Sequence, residues 1–161
     1  MSDVIVQIYG IRTVEDARMV VGHGAKHIGV SYGHINHTPG QLTCEQAKEI
    51  FEGVQPEAVR IGLTCSTDID EISEDLHAAM PDVLHLSGDI DGISPEQVAE
   101  LKRRFPGLEI MQAIPVLAGV PLDEQPVMDY VRAYEPVSDF FLIDTKAPTA
   151  GDIGATGLTH D

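Results

Sequence analysis

The sequence is poor in aromatic and basic residues, and these shortages limit what the chain can be. It contains no Trp, and aromatic residues make up only 5% of its 161 positions. The hydrophobic core must therefore be built mainly from aliphatic side chains. Lys and Arg total 10 against 26 Asp and Glu, which gives a formal net charge of -16. A surface this acidic repels phosphate backbones, so we predict that the protein does not bind nucleic acid.

Long apolar runs and a targeting signal are also missing from the sequence. No run reaches the roughly 18 apolar residues that a membrane span requires. The first residues, Met1 to Val4, lack the basic stretch that opens a signal peptide. We therefore expect a soluble, cytoplasmic protein with no membrane partner. The two cysteines, Cys44 and Cys65, are too far apart to form a close-spaced metal or redox pair, and free thiols are expected.

What the sequence does contain is a regular alternation of strand and helix signals. Apolar, β-branched runs predict six strands, at residues 4–9, 27–32, 59–65, 83–87, 110–114 and 140–143. Capping residues and amphipathic spacing predict five helices between them, at 13–24, 43–53, 68–79, 94–105 and 123–134. The polar, turn-rich segment 33–42 is predicted to be a loop. No pattern typical of a β-hairpin occurs.

This alternation predicts an α/β fold with a parallel sheet and helical crossovers, in a single domain spanning residues 1–161. An open doubly wound sheet and a (β/α)8 barrel both fit the pattern. No phosphate-binding fingerprint of the Rossmann or P-loop type follows the first strand, so we predict no nucleotide cofactor. In both architectures functional residues lie where strands end and loops begin. The strand 140–143, followed by Asp144, is predicted to deliver an acid to that edge.

Several motifs, in the same order along the chain, resemble those of the phosphoribosylanthranilate isomerase family of tryptophan biosynthesis. The motifs are Val6-Gln7-Ile8-Tyr9-Gly10-Ile11, Glu15-Asp16-Ala17, Ile28-Gly29-Val30, Asp82-Val83-Leu84-His85-Leu86-Ser87-Gly88-Asp89, and Asp144 with Gly154-Ala155-Thr156-Gly157. The resemblance implies a (β/α)8 TIM barrel, of which about six of the eight β/α units are present. Because such barrels usually need at least ~200 residues, we expect a piece of a longer chain, the N-terminal three quarters of a barrel. The family's main phosphate site would then fall beyond Asp161.

The resemblance also implies an activity and its residues. The family catalyses an Amadori rearrangement of a phosphorylated aminosugar, for which it needs a general acid and a general base but no cofactor. Asp144 takes the place of the acid. Tyr9 stands where the family has its catalytic Cys, and a Tyr with its ordinary pKa of about 10 is a poor base near neutrality. Tyr9 could instead donate a hydrogen bond or fill space at the barrel end.

Other positions also depart from the family pattern. Gly40 stands where the family has an Arg that meets the anthranilate carboxylate, and Pro115 stands where an Arg often follows strand five. His85 and Ser87 replace a Gln and a His on strand four. The resemblance assigns substrate binding to five positions: His85, Ser87, Gly154, Thr156 and Gly157.

Three interpretations of this altered site stay open. The first is an isomerase of the family that acts on a phosphorylated sugar, with Tyr9 or His85 in place of the missing base. The second is a barrel that has lost the reaction and binds a metabolite or partner. The third is a metal-assisted enzyme that uses histidines at the mouth, where His34, His37, His85, Asp89, Asp144 and Lys146 could all lie. We predict no metal site, because the spacing of His34 and His37 in a loop is not that of a strong one.

An acidic cluster in the third predicted helix is expected to be a solvated face rather than a binding site. Its members are Asp68, Asp70, Glu71, Glu74 and Asp75. The oligomeric state cannot be predicted from the sequence.

Overall fold

The computed structural model describes residues 4–147, 153–154 and 156–157. The chain forms two compact units. Unit 1 runs to Thr64 and includes Asp70–Leu84, and unit 2 comprises Cys65–Ile69 and the residues from His85 onward. In each unit the strands lie in the sheet in the order in which they occur along the chain. No helix among the described residues is both long and apolar enough to cross a membrane.

Unit 1 is built from parallel strands that alternate with helices. Strand β1 pairs with β2 through Gln7 opposite His27, and β2 pairs with β3 from His27 opposite Val59 onward. The strand β4 begins in unit 1 and continues into unit 2. The elements are β1 (Gln7–Ile8), α1 (Val14–Gly22), β2 (His27–Ser31), α2 (Cys44–Gly53), β3 (Val59–Thr64), α3 (Ile69–Ala78) and β4 (Val83–Leu86).

The helices of unit 1 begin where the sequence supplies capping residues. The Thr13 side chain accepts a hydrogen bond from the backbone N–H of Asp16 and caps α1. At α2, Thr43 and Gln46 form a complete capping box, and the helix ends at Gly53, as the sequence predicts. These bonds satisfy backbone N–H groups that the first turn of a helix leaves without partners.

The core of unit 1 lies between β2 and α2 and is mostly aliphatic. Ile28, Ile50 and Phe51 are almost completely buried. Each such side chain contributes roughly 1.5–3 kcal/mol through removal of apolar surface from water. Tyr32 meets Phe51 edge to face, with ring centroids 5.8 Å apart, and donates its hydroxyl to the carbonyl of Ala79 at 2.7 Å. This bond fixes the end of β2 against the end of α3.

Unit 2 continues the same alternation. Its strands β5 and β6 are parallel and pair from Met111 opposite Phe140 to Leu117 opposite Lys146. The Ser94–Gln97 capping box, with Pro95 at the first position, opens α4 as predicted. The elements after β4 are α4 (Pro95–Arg104), β5 (Glu109–Leu117), α5 (Val127–Tyr134) and β6 (Phe140–Lys146), with 3-10 turns at Ile90–Gly92, Leu122–Glu124 and Glu135–Val137.

Four predicted elements have other bounds in the structure, namely three strands and one helix. The first strand is much shorter than the apolar run 4–9, since only Gln7 and Ile8 pair with β2, while Val4 is 86% exposed. Strands β5 and β6 are longer than predicted, because they pair with each other beyond residues 114 and 143. The helix predicted at 123–134 is broken, because Pro126 lacks a backbone N–H and α5 begins only after it.

Candidate functional site

Asp144, the predicted acid, lies in unit 2 near the carboxyl end of β6, where Pro115 of β5 is its partner. Its Oδ1 accepts a hydrogen bond from the N–H of Thr145 at 2.7 Å. Its Oδ2 lies so close to Gly154 that a Cβ on that residue would be 2.5 Å from it. Gly154 has φ +92° and donates its N–H to the carbonyl of Thr145 at 2.9 Å. The structure therefore brings the predicted acid and the first glycine of the loop after β6 together.

Ser87 holds the same loop from the end of β4. Its hydroxyl donates to the carbonyl of Ile153 at 3.3 Å, and the N–H of Ile153 donates back to the carbonyl of Ser87 at 3.3 Å. Because Ile153 precedes Gly154, these two bonds help to hold Gly154 against Asp144. Ser87 itself is buried, so its hydroxyl supports the site from within the protein.

A cation lies beside the acid on the same strand face. Lys146 follows Asp144 by two residues, and such residues point to the same side of a strand. Its ammonium group forms an ion pair with Asp89 at 2.9 Å, and its side chain is only 17% exposed. The hydrogen bond from Lys146 lowers the pKa of Asp89 below its usual value. Asp89 also caps the 3-10 turn after β4 by accepting the N–H of Asp91. The sequence predicts that both residues lie near the mouth of the barrel, but it does not predict their ion pair.

His85 is buried on β4, with 3% of its surface exposed. Burial disfavours the charged imidazolium and lowers the pKa of His85 to about 4. The ring is therefore neutral near pH 7 and in the protonation state of a proton acceptor. Thr156 is partly exposed and Gly157 is exposed with φ +68°. The substrate-binding roles of these residues stay predictions.

Tyr9, which replaces the family's Cys, lies in unit 1 directly after β1. Its ring occupies the space above Gly29 of β2, where a Cβ would be 2.1 Å from Cδ1 of Tyr9. Burial raises the pKa of Tyr9 above its ordinary value, so the phenol stays protonated near neutrality. This geometry favours a packing or hydrogen-bond-donating role over that of a base.

The loop between β2 and α2 is anchored on the acidic helix α3. Asp75 Oδ1 accepts the backbone N–H of His34 at 2.9 Å, the Nδ1 of His34 at 2.6 Å, and the thiol of Cys44 at 3.3 Å. His37 forms a second bond, to Glu71. These contacts raise the pKa of His34, chiefly through its hydrogen bond to Asp75.

The prediction that the acidic face of α3 is solvated is therefore wrong in part. Asp75 is only 5% exposed and the Glu71 side chain only 11%, because loop histidines cover them. Burial also raises the pKa of the Cys44 thiol to about 12, which makes it a poor nucleophile. Among the described residues, no group of three or more His, Cys, Asp or Glu side chains has an arrangement fit to hold a metal ion.

Comparison with known proteins relates the chain to one group of enzymes, although no protein-family model matches it. The N-(5'-phosphoribosyl)anthranilate isomerases of Mesorhizobium japonicum and Agrobacterium fabrum are each 29% identical to it over 157 residues. Each alignment covers 97% of this chain and 66% of the relative. The chain thus spans just under two thirds of the length of these curated relatives.

Solved structures show the same relationship at the level of the fold. The phosphoribosylanthranilate isomerase of Thermotoga maritima superposes with a TM-score of 0.71 and 23% identity, covering 92% of this chain and 65% of the other. The enzyme of Thermococcus kodakaraensis gives a TM-score of 0.74 and 21% identity, covering 90% and 66%. The predicted fold class, six β/α units of a TIM barrel, is confirmed. In sequence and in fold the chain is thus similar to the phosphoribosylanthranilate isomerases.

Proposed function

We propose that this chain carries out an Amadori-type aldose–ketose isomerisation of a phosphorylated aminosugar, with phosphoribosylanthranilate as substrate. The observation that carries the proposal is the setting of Asp144, whose carboxylate lies at the carboxyl end of β6 against the Gly154 loop. Active sites of (β/α)8 barrels lie at this end of the strands. The names of the curated relatives supply the substrate.

In this reaction Asp144 acts as the general acid. It gives a proton to the ring oxygen of the aminosugar, and the bond from that oxygen to C1 breaks to leave an iminium ion. A base then removes the proton from C2, and the resulting enolamine rearranges to the ketose. The Gly154 loop, held by Ser87, supports the carboxylate in one position and so reduces the entropy lost in reaching the transition state.

For the base, the two replacements suggested by the sequence are not equivalent. Tyr9 keeps its proton near neutrality, because burial raises its pKa. His85 is neutral at the same pH, because burial lowers its pKa to about 4. We therefore assign proton removal to His85 and a packing role to Tyr9. A base with so low a pKa is weak, so we expect slow turnover.

The remaining parts of the proposal follow from the same relationship. The substrate is a small phosphorylated molecule of tryptophan biosynthesis, and the protein works in the cytoplasm without a cofactor, nucleic acid or membrane. His85, Gly154, Thr156 and Gly157 form the proposed surroundings of the substrate, and the buried hydroxyl of Ser87 supports them through its bond to Ile153.

The proposal is tested by measuring turnover of phosphoribosylanthranilate and, separately, the shift in melting temperature that substrate and product analogues cause. Turnover above the uncatalysed rate supports the isomerase. The alternative is a barrel that binds a metabolite but has lost the reaction. A rise in melting temperature without turnover would favour this alternative over the isomerase, provided that the Tyr9→Cys variant, which restores the family's thiol, is also inactive. The protonated phenol of Tyr9 is the observation that favours this alternative.

A further inference from the structure

The ion pair between Asp89 and Lys146 connects two strands of the sheet that are not neighbours. Asp89 follows β4 and Lys146 is the last residue of β6, whereas β5 lies between these two strands. The side chain of Lys146 therefore crosses the carboxyl end of β5, where its backbone partner is Leu117. All three residues belong to unit 2. The ion pair thus lies at the end of the strands where (β/α)8 barrels hold their active sites.

The segment that carries Asp89 is held firmly in place. The carboxylate of Asp89 caps the 3-10 turn Ile90–Gly92. The hydroxyl of Tyr134, which is buried on α5, donates to the carbonyl of Ile93 at 2.5 Å and lies 2.9 Å from that of Ile90. The turn is therefore bonded to α5 directly after Asp89. Asp89 in this way offers the ammonium group of Lys146 an anion in a fixed position.

The end of β6 depends on its neighbours to stay in the sheet. The end of β5 is fixed by the side chain of Gln125, which accepts the N–H of Leu117 and donates to its carbonyl, both at 2.8 Å. The carbonyl of Lys146 accepts the N–H of Ala118 at 3.1 Å. The ends of an element open at a lower free energy than its centre. The ion pair to Asp89 therefore restrains the part of β6 that would open most easily.

The proposed acid lies in this part of β6. Asp144 precedes Lys146 by two residues, so the two side chains point to the same face of the strand. Gly154 packs against the carboxylate of Asp144, and Ser87 holds the residue that precedes Gly154 through two hydrogen bonds. Ser87 and Asp89 belong to one short segment after β4. This segment therefore holds both the loop that contacts the acid and the strand end that carries it.

A second Lys–Asp ion pair of unit 2 has an evident structural role. Lys102 of α4 contacts Asp139 at 2.6 Å, and the same carboxylate accepts the N–H of Ile110 at 2.8 Å. Asp139 directly precedes β6, and Ile110 lies near the start of β5. This pair holds the amino ends of the two strands together, far along β6 from Asp144. It provides a matched control for the pair at the carboxyl end.

We propose that Lys146 is a positioning residue of the isomerisation, whose ion pair with Asp89 keeps Asp144 in a fixed place relative to His85. His85 lies on β4, four residues before Asp89. The inference rests on the proposed function, in which Asp144 is the acid and His85 the base. Both act on one substrate, so their separation must be maintained, and a misplacement of about 1 Å can cost roughly a hundredfold in rate. Lys146 contacts neither the substrate nor a proton in transfer.

The test compares Lys146→Met and Asp89→Asn with Lys102→Met in the full chain. Asn keeps the shape and the capping ability of Asp89 but not its charge. We expect kcat for phosphoribosylanthranilate to fall at least tenfold in Lys146→Met and in Asp89→Asn. KM should change less than threefold, because positioning affects the transition state rather than ground-state binding. The double variant should be no slower than the slower single variant, since both changes remove the same ion pair.

Two further variants separate charge and place. Lys146→Arg retains the positive charge and should keep at least a third of the wild-type kcat. Lys102→Met removes an ion pair of the same kind at the other end of the strands and should leave kcat unchanged.

Hydrogen exchange of the Gly154 amide supplies a readout that does not require turnover. This N–H donates to the carbonyl of Thr145, the residue directly before Lys146. Because the ion pair restrains the end of β6, exchange at Gly154 should be at least tenfold faster in Lys146→Met and in Asp89→Asn. It should be unchanged in Lys102→Met.

Unchanged exchange at Gly154 in Lys146→Met would overturn the inference, with or without isomerase activity. In an active protein, any of five results would also overturn it: an unchanged kcat or a raised KM in Lys146→Met, losses that multiply in the double variant, an equal loss in Lys102→Met, or a Lys146→Arg variant as slow as Lys146→Met. Faster exchange in a protein without turnover would refute the proposed function but support the positioning of Asp144. Turnover by the wild type, with kcat and exchange unchanged in Lys146→Met, would do the reverse.

Discussion

The carboxylate of Asp144 and the backbone of Gly154 lie in such close contact that no side chain fits between them. A Cβ on Gly154 would be 2.5 Å from Oδ2 of Asp144, and the residue has φ +92°. The contact is not evident from the sequence, because the two residues are ten positions apart and β6 ends between them. The contact couples the loop after β6 to the proposed acid.

Replacing Gly154 by Ala should therefore impair activity more than stability. The left-handed backbone costs a residue with a Cβ about 1–2 kcal/mol, and the new methyl group would also displace the carboxylate of Asp144. We expect at least a tenfold loss of kcat. Gly107→Ala is the matched control, because Gly107 has φ +93° but nothing within 4 Å of its Cβ position and lies outside the proposed site. Equal losses of kcat in the two variants would show that the contact with Asp144 does not matter.

His34 should make the stability of unit 1 depend on pH. Its hydrogen bond to Asp75 raises its pKa, so the folded protein holds this proton more tightly than the unfolded chain does. The stabilisation is complete below the unfolded pKa of about 6.5 and is lost as pH rises through the folded pKa. Urea unfolding of wild type and His34→Asn should differ more at pH 6 than at pH 9. Asp75→Asn should abolish that pH dependence, and an equal difference at both pH values would contradict the assignment.

His85 should have the opposite effect at acid pH. Burial lowers its pKa to about 4, so between pH 6.5 and 4 the unfolded chain binds a proton that the folded protein does not. Stability is complete above pH 6.5 and falls by about 3 kcal/mol in total as pH drops to 4. The His85→Gln variant, which cannot titrate, should lose less stability over this interval. An equal loss of stability in wild type and His85→Gln between pH 6.5 and 4 would refute the lowered pKa of His85.

Tyr9→Phe should retain most of the activity. The ring fills the space above Gly29, and burial raises the pKa of the phenol, so its hydroxyl does not act as a base. We expect kcat to fall less than threefold and the melting temperature to change little. Gly29→Ala should be clearly destabilising, because its methyl group would meet the Tyr9 ring. A hundredfold loss of kcat in Tyr9→Phe would instead assign the hydroxyl a direct part in the reaction.

Features that depend on neighbouring residues could be predicted from the sequence. The capping boxes at Thr43–Gln46 and Ser94–Gln97 open their helices as predicted, because cap and partner are three residues apart. Strand ends could not be predicted in the same way. β6 continues past Ile143 because it pairs with β5, and that pairing extends through Pro115, which by itself suggests an interruption.

In the candidate site, too, features that follow from the order of residues along the chain could be predicted, whereas contacts between distant residues could not. The resemblance identified Asp144 and the glycines after β6 from their order along the chain, and the structure brings Asp144 and Gly154 together. The sequence could not show that Asp75, one of several acids on a helix, is buried by a histidine 41 positions away. Nor could it show that Arg12 reaches Gly40, since this bond exists only once two loops are adjacent.

Asp144 is the proposed proton donor, and one measurement tests this role directly. The kcat for phosphoribosylanthranilate should fall at least a hundredfold in Asp144→Asn, which keeps the shape of the side chain but cannot supply the proton. Asp129→Asn, at an exposed ion pair on α5, should leave kcat unchanged. An Asp144→Asn protein that turns over phosphoribosylanthranilate as fast as wild type would contradict the proposed mechanism.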